Sequence, residues 1–212
     1  WGKDEKIDSI VSDVKNMVGK SLDSVIGIAE ADIKRRLDNR IDSPLGNLIT
    51  DIMRDWAKTD IAIQNSGGIR SDIQKGNITK RTLYNVQPFD NTAVIMEFKG
   101  EKLENILEKS FENPYGGIQI SGINVIYIQE NERKKIKRII IEGKEIDRAG
   151  IYTVCTNSYL AYGGEGYEFN RIGRVVKDTG VNIRDIIEEY IKRKGRISVI
   201  DESRYIEIGG VK

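Results

Sequence analysis

Two glycine-rich segments carry the side chains that could hold a small anionic ligand. In the first, NSGGIR, the adjacent Gly67 and Gly68 permit a tight turn and a close approach of the backbone to a ligand. Asn65 offers a donor and an acceptor, and Arg70 carries a planar guanidinium suited to phosphate or carboxylate. No Gly-Lys-Ser/Thr follows, so this is not a Walker loop. The alternative is an ordinary turn with a surface arginine.

The second segment, residues 159–167 (YLAYGGEGY), interleaves aromatic rings and glycines with one carboxylate. A ring such as that of Tyr159 can stack on a flat base, and a carboxylate such as that of Glu165 can accept hydrogen bonds from a sugar diol. Taken alone, the composition favours a tyrosine-bearing loop packed on the core.

Two other segments have simpler interpretations. Phe89 and Asn91 lie in the sequence PFDN, and a phenylalanine beside a proline in a loop is more often a hydrophobic plug than a platform for a base. The basic run at 133–138 (RKKIKR) could touch phosphates, but interspersed glutamates and a predicted hairpin favour a solvated turn.

The composition excludes several kinds of chemistry. The chain has 212 residues, with 34 Lys and Arg, 33 Asp and Glu, no His and one Cys. Without histidine there is no Ser-His-Asp or Cys-His nucleophile and no His-based metal site, and Cys155 can form neither an internal disulfide nor a metal cluster. The net charge of +1 argues against a global field for nucleic acid or anionic membranes. No apolar run is long enough to span a bilayer.

A mixture of helices and strands, without strict alternation, must position these segments. The apolar spacing predicts a leading helix at 4–18 that stops at Gly19. Ser43 and Pro44 predict the cap and first turn of another helix, and Thr79 predicts a cap before KRTLYNV. The other expected helices are 101–111 and 181–194, and the expected strands are 22–30, 60–64, 92–99, 118–129, 136–142, 151–155 and 204–208. The pattern indicates a single α/β layered domain with mixed sheets.

Five motifs in order resemble the C-terminal, substrate-binding domain of the 5′-nucleotidases and 2′,3′-cyclic-nucleotide 2′-phosphodiesterases. They are SPLGNLI at 43–49, NSGGIR at 65–70, QPFDN at 87–91, SGI at 121–123, and TN at 156–157 followed by GGEGY at 163–167. The resemblance covers about residues 20–195. It implies a layered α-β-β-α fold, with residues 1–19 as an interdomain connector helix and 20–212 as the nucleotide-binding domain.

The resemblance also implies roles for individual residues. Phe89 and Tyr159 match the two aromatics that sandwich the base, and Glu165 stands where the family has an Asp that binds the ribose hydroxyls. A second phosphate-facing Arg of some members aligns near Asn39, with Arg40 one position away. The full set of expected substrate-binding residues is Asn65, Gly67, Gly68, Arg70, Phe89, Asn91, Gly122, Tyr159, Glu165 and Arg40.

The expected function is recognition rather than bond-making. The family pairs this domain with an N-terminal metallophosphoesterase domain of the same polypeptide that holds two divalent metals, so no catalytic residue, metal or cofactor is expected in this chain. The expected ligand is a nucleotide or nucleoside, with no nucleic acid and no membrane span, and the family suggests an extracellular, periplasmic or wall-associated location. Two alternatives are a stand-alone nucleoside-binding module and a chain that hydrolyses phosphate esters by itself, for which we expect no turnover.

Overall fold

The computed structural model describes residues 5–209 except 39, 115 and 132, and leaves out the side chains of 5, 6, 8, 11 and 13–16. The helices are α1 (Glu5–Leu22), α2 (Pro44–Ala57), α3 (Lys80–Val86), α4 (Gly100–Phe111), α5 (Ser158–Ala161), α6 (Phe169–Ile172) and α7 (Ile183–Lys194). The strands are β1 (Val25–Ala29), β2 (Ile61–Asn65), β3 (Gly76–Thr79), β4 (Thr92–Lys99), β5 (Ile118–Ser121), β6 (Ile123–Glu130), β7 (Arg133–Ile141), β8 (Lys144–Glu145), β9 (Ile151–Asn157), β10 (Arg174–Asn182), β11 (Arg196–Ile197) and β12 (Tyr205–Glu207).

A five-stranded mixed sheet forms the centre, in the order β10-β4-β9-β2-β5. β2 runs parallel to β9, and the other neighbours in this sheet are antiparallel. Every residue of β2 is buried, as expected for an inner strand covered on both faces. Two smaller sheets flank it, in the orders β11-β1-β3 and β12-β6-β7-β8.

Two apolar cores lie on opposite faces of the central sheet. One face contributes Ala62, Ala93 and Cys155 to a core built with α2 and α7. The other contributes Ile63, Val94 and neighbouring residues to a core built with α4 and the sheet of β6 and β7. This arrangement confirms the predicted layered α/β fold with mixed sheets.

Local signals explain where several helices begin. The Ser43 hydroxyl accepts the backbone N–H of Gly46 at 3.0 Å, and Pro44 is the first residue of α2, where a missing N–H leaves no hydrogen bond unmade. Thr79 caps α3 in a reciprocal capping box with Thr82. The predicted apolar face of α7 is buried at Ile183, Ile186, Ile187 and Ile191.

The element boundaries correct the sequence prediction in several places. α1 continues through Gly19 to Leu22, because one glycine in a helix costs only about 1 kcal/mol relative to alanine. The strand expected at 118–129 is two strands, since Gly122, at φ 80, turns the chain from the central sheet into the next one. The expected turn at 129–135 is shorter, so the basic run lies on β7. The strand β10 was missed because its exposed sequence lacks alternation.

Candidate functional site

Seven of the ten expected binding residues line one cavity of about 250 Å³. They are Asn65, Gly67, Gly68, Phe89, Asn91, Tyr159 and Glu165. The side chains of Phe89 and Tyr159 are each 48% exposed, so neither ring is a plug in the core. Tyr167, by contrast, is 2% exposed and packs against Phe169, so the core-packing interpretation holds for that tyrosine.

The strand order explains why distant segments meet here. Because β2 and β9 are parallel neighbours, Asn65 at the end of β2 and Asn157 at the end of β9 lie at the same edge of the sheet. β4 runs antiparallel to β9 and pairs Ala93 with Asn157, so the segment before β4 that holds Phe89 and Asn91 reaches that edge as well. The edge beyond the carboxyl ends of strands is where open α/β sheets bind ligands.

The loop that carries Glu165 closes over Tyr159 because residue 164 has no side chain. A Cβ on Gly164 would lie 2.6 Å from Cε1 and from the carbonyl oxygen of Tyr159. Glu165 itself has φ 52, in the left-handed region that favours glycine. Holding a residue other than glycine in the left-handed region costs of order 1–3 kcal/mol. Residues with such strained backbones concentrate at binding sites.

One carboxylate oxygen in the cavity has a partner and the other has none. The side-chain N–H of Asn65 donates to Oε1 of Glu165 at 2.6 Å. Oε2 is buried and has no hydrogen-bond partner among the described residues. Burial raises the pKa of Glu165 above its ordinary value, while the hydrogen bond from Asn65 opposes that rise. Oε2 is therefore an acceptor that the described residues leave unused.

Asn157 belongs to the site but is absent from the expected set. Its fully buried amide donates to Oε1 of Gln64 at 2.8 Å and to Oδ1 of Asn65 at 2.9 Å. Its Oδ1 accepts the backbone N–H of Leu160 at 2.8 Å and so caps α5, which carries Tyr159. An asparagine at a strand end, two residues before an aromatic, was the available signal, because asparagine is a preferred N-cap.

Arg70 lies beside the cavity rather than in its lining. Its backbone N–H donates to the carbonyl of Val86 at 2.9 Å, and its exposed guanidinium donates to the carbonyl of Gly67 at 3.2 Å. No carboxylate pairs with it in the described part of the chain. The cation therefore remains available to an anion bound near the glycine turn.

Arg40 does not line the cavity, and its role in binding stays a prediction. Its guanidinium is paired with the carboxylates of Asp42 and Asp201, and it donates to the carbonyl of Glu202 at 3.1 Å. It lines a separate depression of about 470 Å³ together with Arg35 and other residues. The aligned position, Asn39, lies outside the described residues. Arg40 thus serves the packing of the C-terminal segment.

Gly122 does not line the cavity either, because it lies at the far end of the strands. β5 pairs Ser121 with Ala62 near the start of β2, whereas the cavity lies beyond Asn65 at its end, roughly 10–13 Å along the strand. A Cβ at residue 122 would lie 2.1 Å from the carbonyl oxygen of Asp60. The glycine is required by this backbone approach and by its positive φ.

The family model of the 5′-nucleotidase C-terminal domain matches residues 18–171. The chain belongs to the 5′-nucleotidase C-terminal domain family. Endonuclease YhcR of Bacillus subtilis is 32% identical over 212 residues, covering 94% of this chain and 17% of that protein. The 5′-nucleotidase of Vibrio parahaemolyticus is 29% identical, covering 79% of this chain and 29% of that protein.

A solved structure has the same fold as this 5′-nucleotidase C-terminal domain. The 5′-nucleotidase precursor of Thermus thermophilus superposes with a TM-score of 0.82 at 30% identity, covering 98% of this chain and 44% of that one. The chain thus spans less than a third of the two curated relatives and less than half of the solved one.

Metal-ligating side chains do not cluster in the described part of this 5′-nucleotidase C-terminal domain. Across residues 5–209, apart from the three omitted positions, no group of three or more Asp, Glu, Cys or His could hold a metal ion. Of the helices described, none is both long and apolar enough to cross a membrane.

Proposed function

We propose that the chain is the nucleotide-recognition domain of a phosphoesterase that acts on 5′-nucleotides or 2′,3′-cyclic nucleotides. The observation that carries this proposal is the half-exposed pair Phe89 and Tyr159 lining one cavity with Asn65 and Glu165. A base stacks between the two rings, which accept any base because every base has a flat face. Asn91 lines the same cavity and meets the edge of the base.

With the base between the two rings, the remaining polar residues contact the sugar and the phosphate. The unpartnered Oε2 of Glu165 accepts a ribose hydroxyl, and Asn65 holds the carboxylate from its other side. Glu is one methylene longer than the Asp at the family's corresponding position, so it reaches the sugar from a backbone held in the left-handed region. Arg70, beside the glycine turn, holds the phosphate, as a charge-assisted donor does.

Binding of adenosine and of adenosine monophosphate to the 212-residue chain tests this assignment by calorimetry. We expect both to bind and the monophosphate to bind more tightly, because Arg70 adds a hydrogen bond to a charged group. Arg70→Ala should weaken binding of the monophosphate by about tenfold or more. Its affinity for adenosine should stay within about twofold of that of the wild type.

Arg138→Ala is the matched control. Arg138 is exposed on β7 and pairs with Glu145 on the neighbouring strand β8, in a sheet other than the central one. We expect it to bind both ligands as the wild type does. Equal loss of adenosine and adenosine monophosphate in Arg70→Ala would contradict the phosphate assignment. A wild-type chain that binds neither ligand would contradict the proposed function.

The raised pKa of Glu165 predicts opposite effects of pH on binding and on stability. The ionised carboxylate is the better acceptor, so adenosine affinity should rise as pH increases from the ordinary value of 4.5 through the raised pKa. Because the folded protein holds that proton more tightly than the unfolded chain, the Glu165 contribution to the free energy of unfolding falls over the same window.

Glu165→Gln should flatten both of these pH profiles, because the amide does not titrate. The measurement is the adenosine dissociation constant and the urea-unfolding free energy at a series of pH values. Identical profiles for the variant and the wild type would assign the titration to another group.

We assign bond-making to a metallophosphoesterase domain of the same polypeptide with two divalent metals, and α1 to the connection between the domains. Membership of the 5′-nucleotidase family and the partial coverage of relatives support this assignment. α1 carries exposed apolar side chains at Ile10, Met17 and Val18, as a helix covered by another domain would. A His- and Asp-rich segment encoded before Trp1 is the expected finding, and its absence would favour a stand-alone binding module.

The resemblance to this family also supports a location outside the cytoplasm for the whole protein. The relative from Thermus thermophilus is named a precursor, which accords with export. Fractionation of the source cells should therefore recover the protein outside the cytoplasm, and recovery only with cytoplasmic enzymes would contradict this part of the proposal.

A further inference from the structure

We infer that Asn157 is a positioning residue that fixes the orientation of the Asn65 amide and so keeps one oxygen of Glu165 free for a sugar hydroxyl. The inference rests on the proposed nucleotide site and adds to it a residue outside the lining of the cavity. If the inference holds, a buried amide that does not line the cavity controls how well the site distinguishes ribose from a sugar that lacks the 2′ and 3′ hydroxyls.

The backbone determines which way the Asn157 amide faces. A backbone N–H can only donate, so the side-chain atom that meets the N–H of Leu160 at 2.8 Å must be the oxygen. The NH₂ group then faces the other way, toward the oxygens of Gln64 and Asn65 at 2.8 and 2.9 Å. Because Asn157 is fully buried, water cannot replace either partner.

This orientation is passed on to the carboxylate. Asn65 receives a hydrogen bond from Asn157, so its Oδ1 faces Asn157 and its NH₂ faces Oε1 of Glu165 at 2.6 Å. Leu160 therefore donates to Asn157, Asn157 to Asn65, and Asn65 to the carboxylate of Glu165. Hydrogen bonds aligned in series polarise one another. The series ends at Oε1 of Glu165, and the other oxygen of that carboxylate, Oε2, is buried and has no partner within the described residues.

The same side chain links the sugar acceptor to the base platform. The bond from Leu160 caps α5, and Tyr159 is the second residue of that helix. Gly68 leaves room for the series, because a Cβ there would lie 2.6 Å from Nε2 of Gln64 and 3.0 Å from Oδ1 of Asn65. Gly68 is thus required by the buried hydrogen bonds as well as by the turn.

Asn157→Ser tests the inference because it separates the two roles. Serine is as good an N-cap as asparagine, so α5 and Tyr159 should stay in place, but its hydroxyl is too short to donate to both Gln64 and Asn65. Dissociation constants are measured on the 212-residue chain for adenosine and for 2′,3′-dideoxyadenosine. We expect adenosine to bind about tenfold more weakly and dideoxyadenosine to change by less than about twofold.

Asn157→Asp tests the orientation itself. It keeps the acceptor for Leu160 but puts a carboxylate oxygen where the NH₂ group was, so the Asn65 amide must turn and present its oxygen to Glu165. We expect a larger loss of adenosine affinity, about 30-fold or more, again with little change for dideoxyadenosine. Asn85→Asp, at an exposed position on α3, is the matched control and should bind both ligands as the wild type does.

The outcomes separate this inference from the proposed function. Equal losses for the two ligands in Asn157→Ser, or no loss for either, overturn the positioning role while the nucleotide site stands. A wild-type chain that binds neither ligand overturns both. If neither variant folds, proton exchange in the wild type decides, because side-chain NH₂ protons of Asn65 and Asn157 should exchange at least about tenfold more slowly than those of Asn85. Equal rates overturn the inference.

Discussion

The Phe89→Ala/Tyr159→Ala double variant should bind adenosine at least about 30-fold more weakly than the wild type. Removing an aromatic platform from a base costs about 1–3 kcal/mol per ring, and about 1.4 kcal/mol is a factor of ten in affinity. Both side chains are half exposed, so their removal leaves no cavity in the core and the thermal midpoint should change little. Calorimetric titration and thermal unfolding measure the two effects separately.

Two controls sharpen this prediction. Tyr162→Ala removes an exposed tyrosine from the same segment, one whose hydroxyl donates to Asp178 at 2.7 Å and whose side chain does not line the cavity. We expect adenosine affinity close to that of the wild type. Tyr159→Phe keeps the stacking face and should also bind normally. A double variant with unchanged adenosine affinity would mean that the rings do not hold the base.

Asp42→Ala should lower the free energy of unfolding by about 3–5 kcal/mol, the usual effect of breaking a buried ion pair. The Asp42 side chain is fully buried and its Oδ1 accepts from Arg40 and from the Ser203 hydroxyl at 2.9 Å. Its Oδ2 accepts the backbone N–H of Arg204 at 2.7 Å and the amide of Asn47 at 3.1 Å. One carboxylate thus fastens the C-terminal segment to the beginning of α2, and urea unfolding measures its contribution.

Two further variants test whether Arg40, which belongs to this cluster, also takes part in ligand binding. Asp38→Ala changes an exposed carboxylate nearby and should stay within about 0.5 kcal/mol of the wild type. Arg40→Ala should lower stability less than Asp42→Ala and leave adenosine monophosphate affinity within about twofold, because the guanidinium is held by carboxylates outside the cavity. A loss of monophosphate affinity in Arg40→Ala would contradict this expectation and assign Arg40 to the phosphate site.

Local chemistry allowed much of this fold to be predicted from sequence. Ser43 with Pro44 and Thr79 mark helix starts because caps depend on neighbouring residues. The apolar spacing of α7 predicted its buried face for the same reason. Strand limits were less predictable: the break at Gly122 depends on Asp60, whose carbonyl leaves no space for a side chain. That contact is far away in sequence.

The residues of the candidate site also divide into those that local sequence predicts and those that depend on distant contacts. The residues that line the cavity lie in short motifs typical of the family. The resemblance therefore predicted from sequence alone that they form one site. Asn157 has its function through partners on another strand, and Arg40 is held by Asp201 near the end of the chain. Hydrogen bonds between strands and ion pairs across the fold leave no local pattern, so the sequence did not indicate the contacts that these two side chains make.

A crystal structure of the chain with adenosine bound tests the central claim most directly. The account predicts the base between the rings of Phe89 and Tyr159, with a ribose hydroxyl within hydrogen-bonding distance of Oε2 of Glu165. Adenosine bound in the depression beside Arg40, or in the cavity with its base outside the two rings, would contradict it.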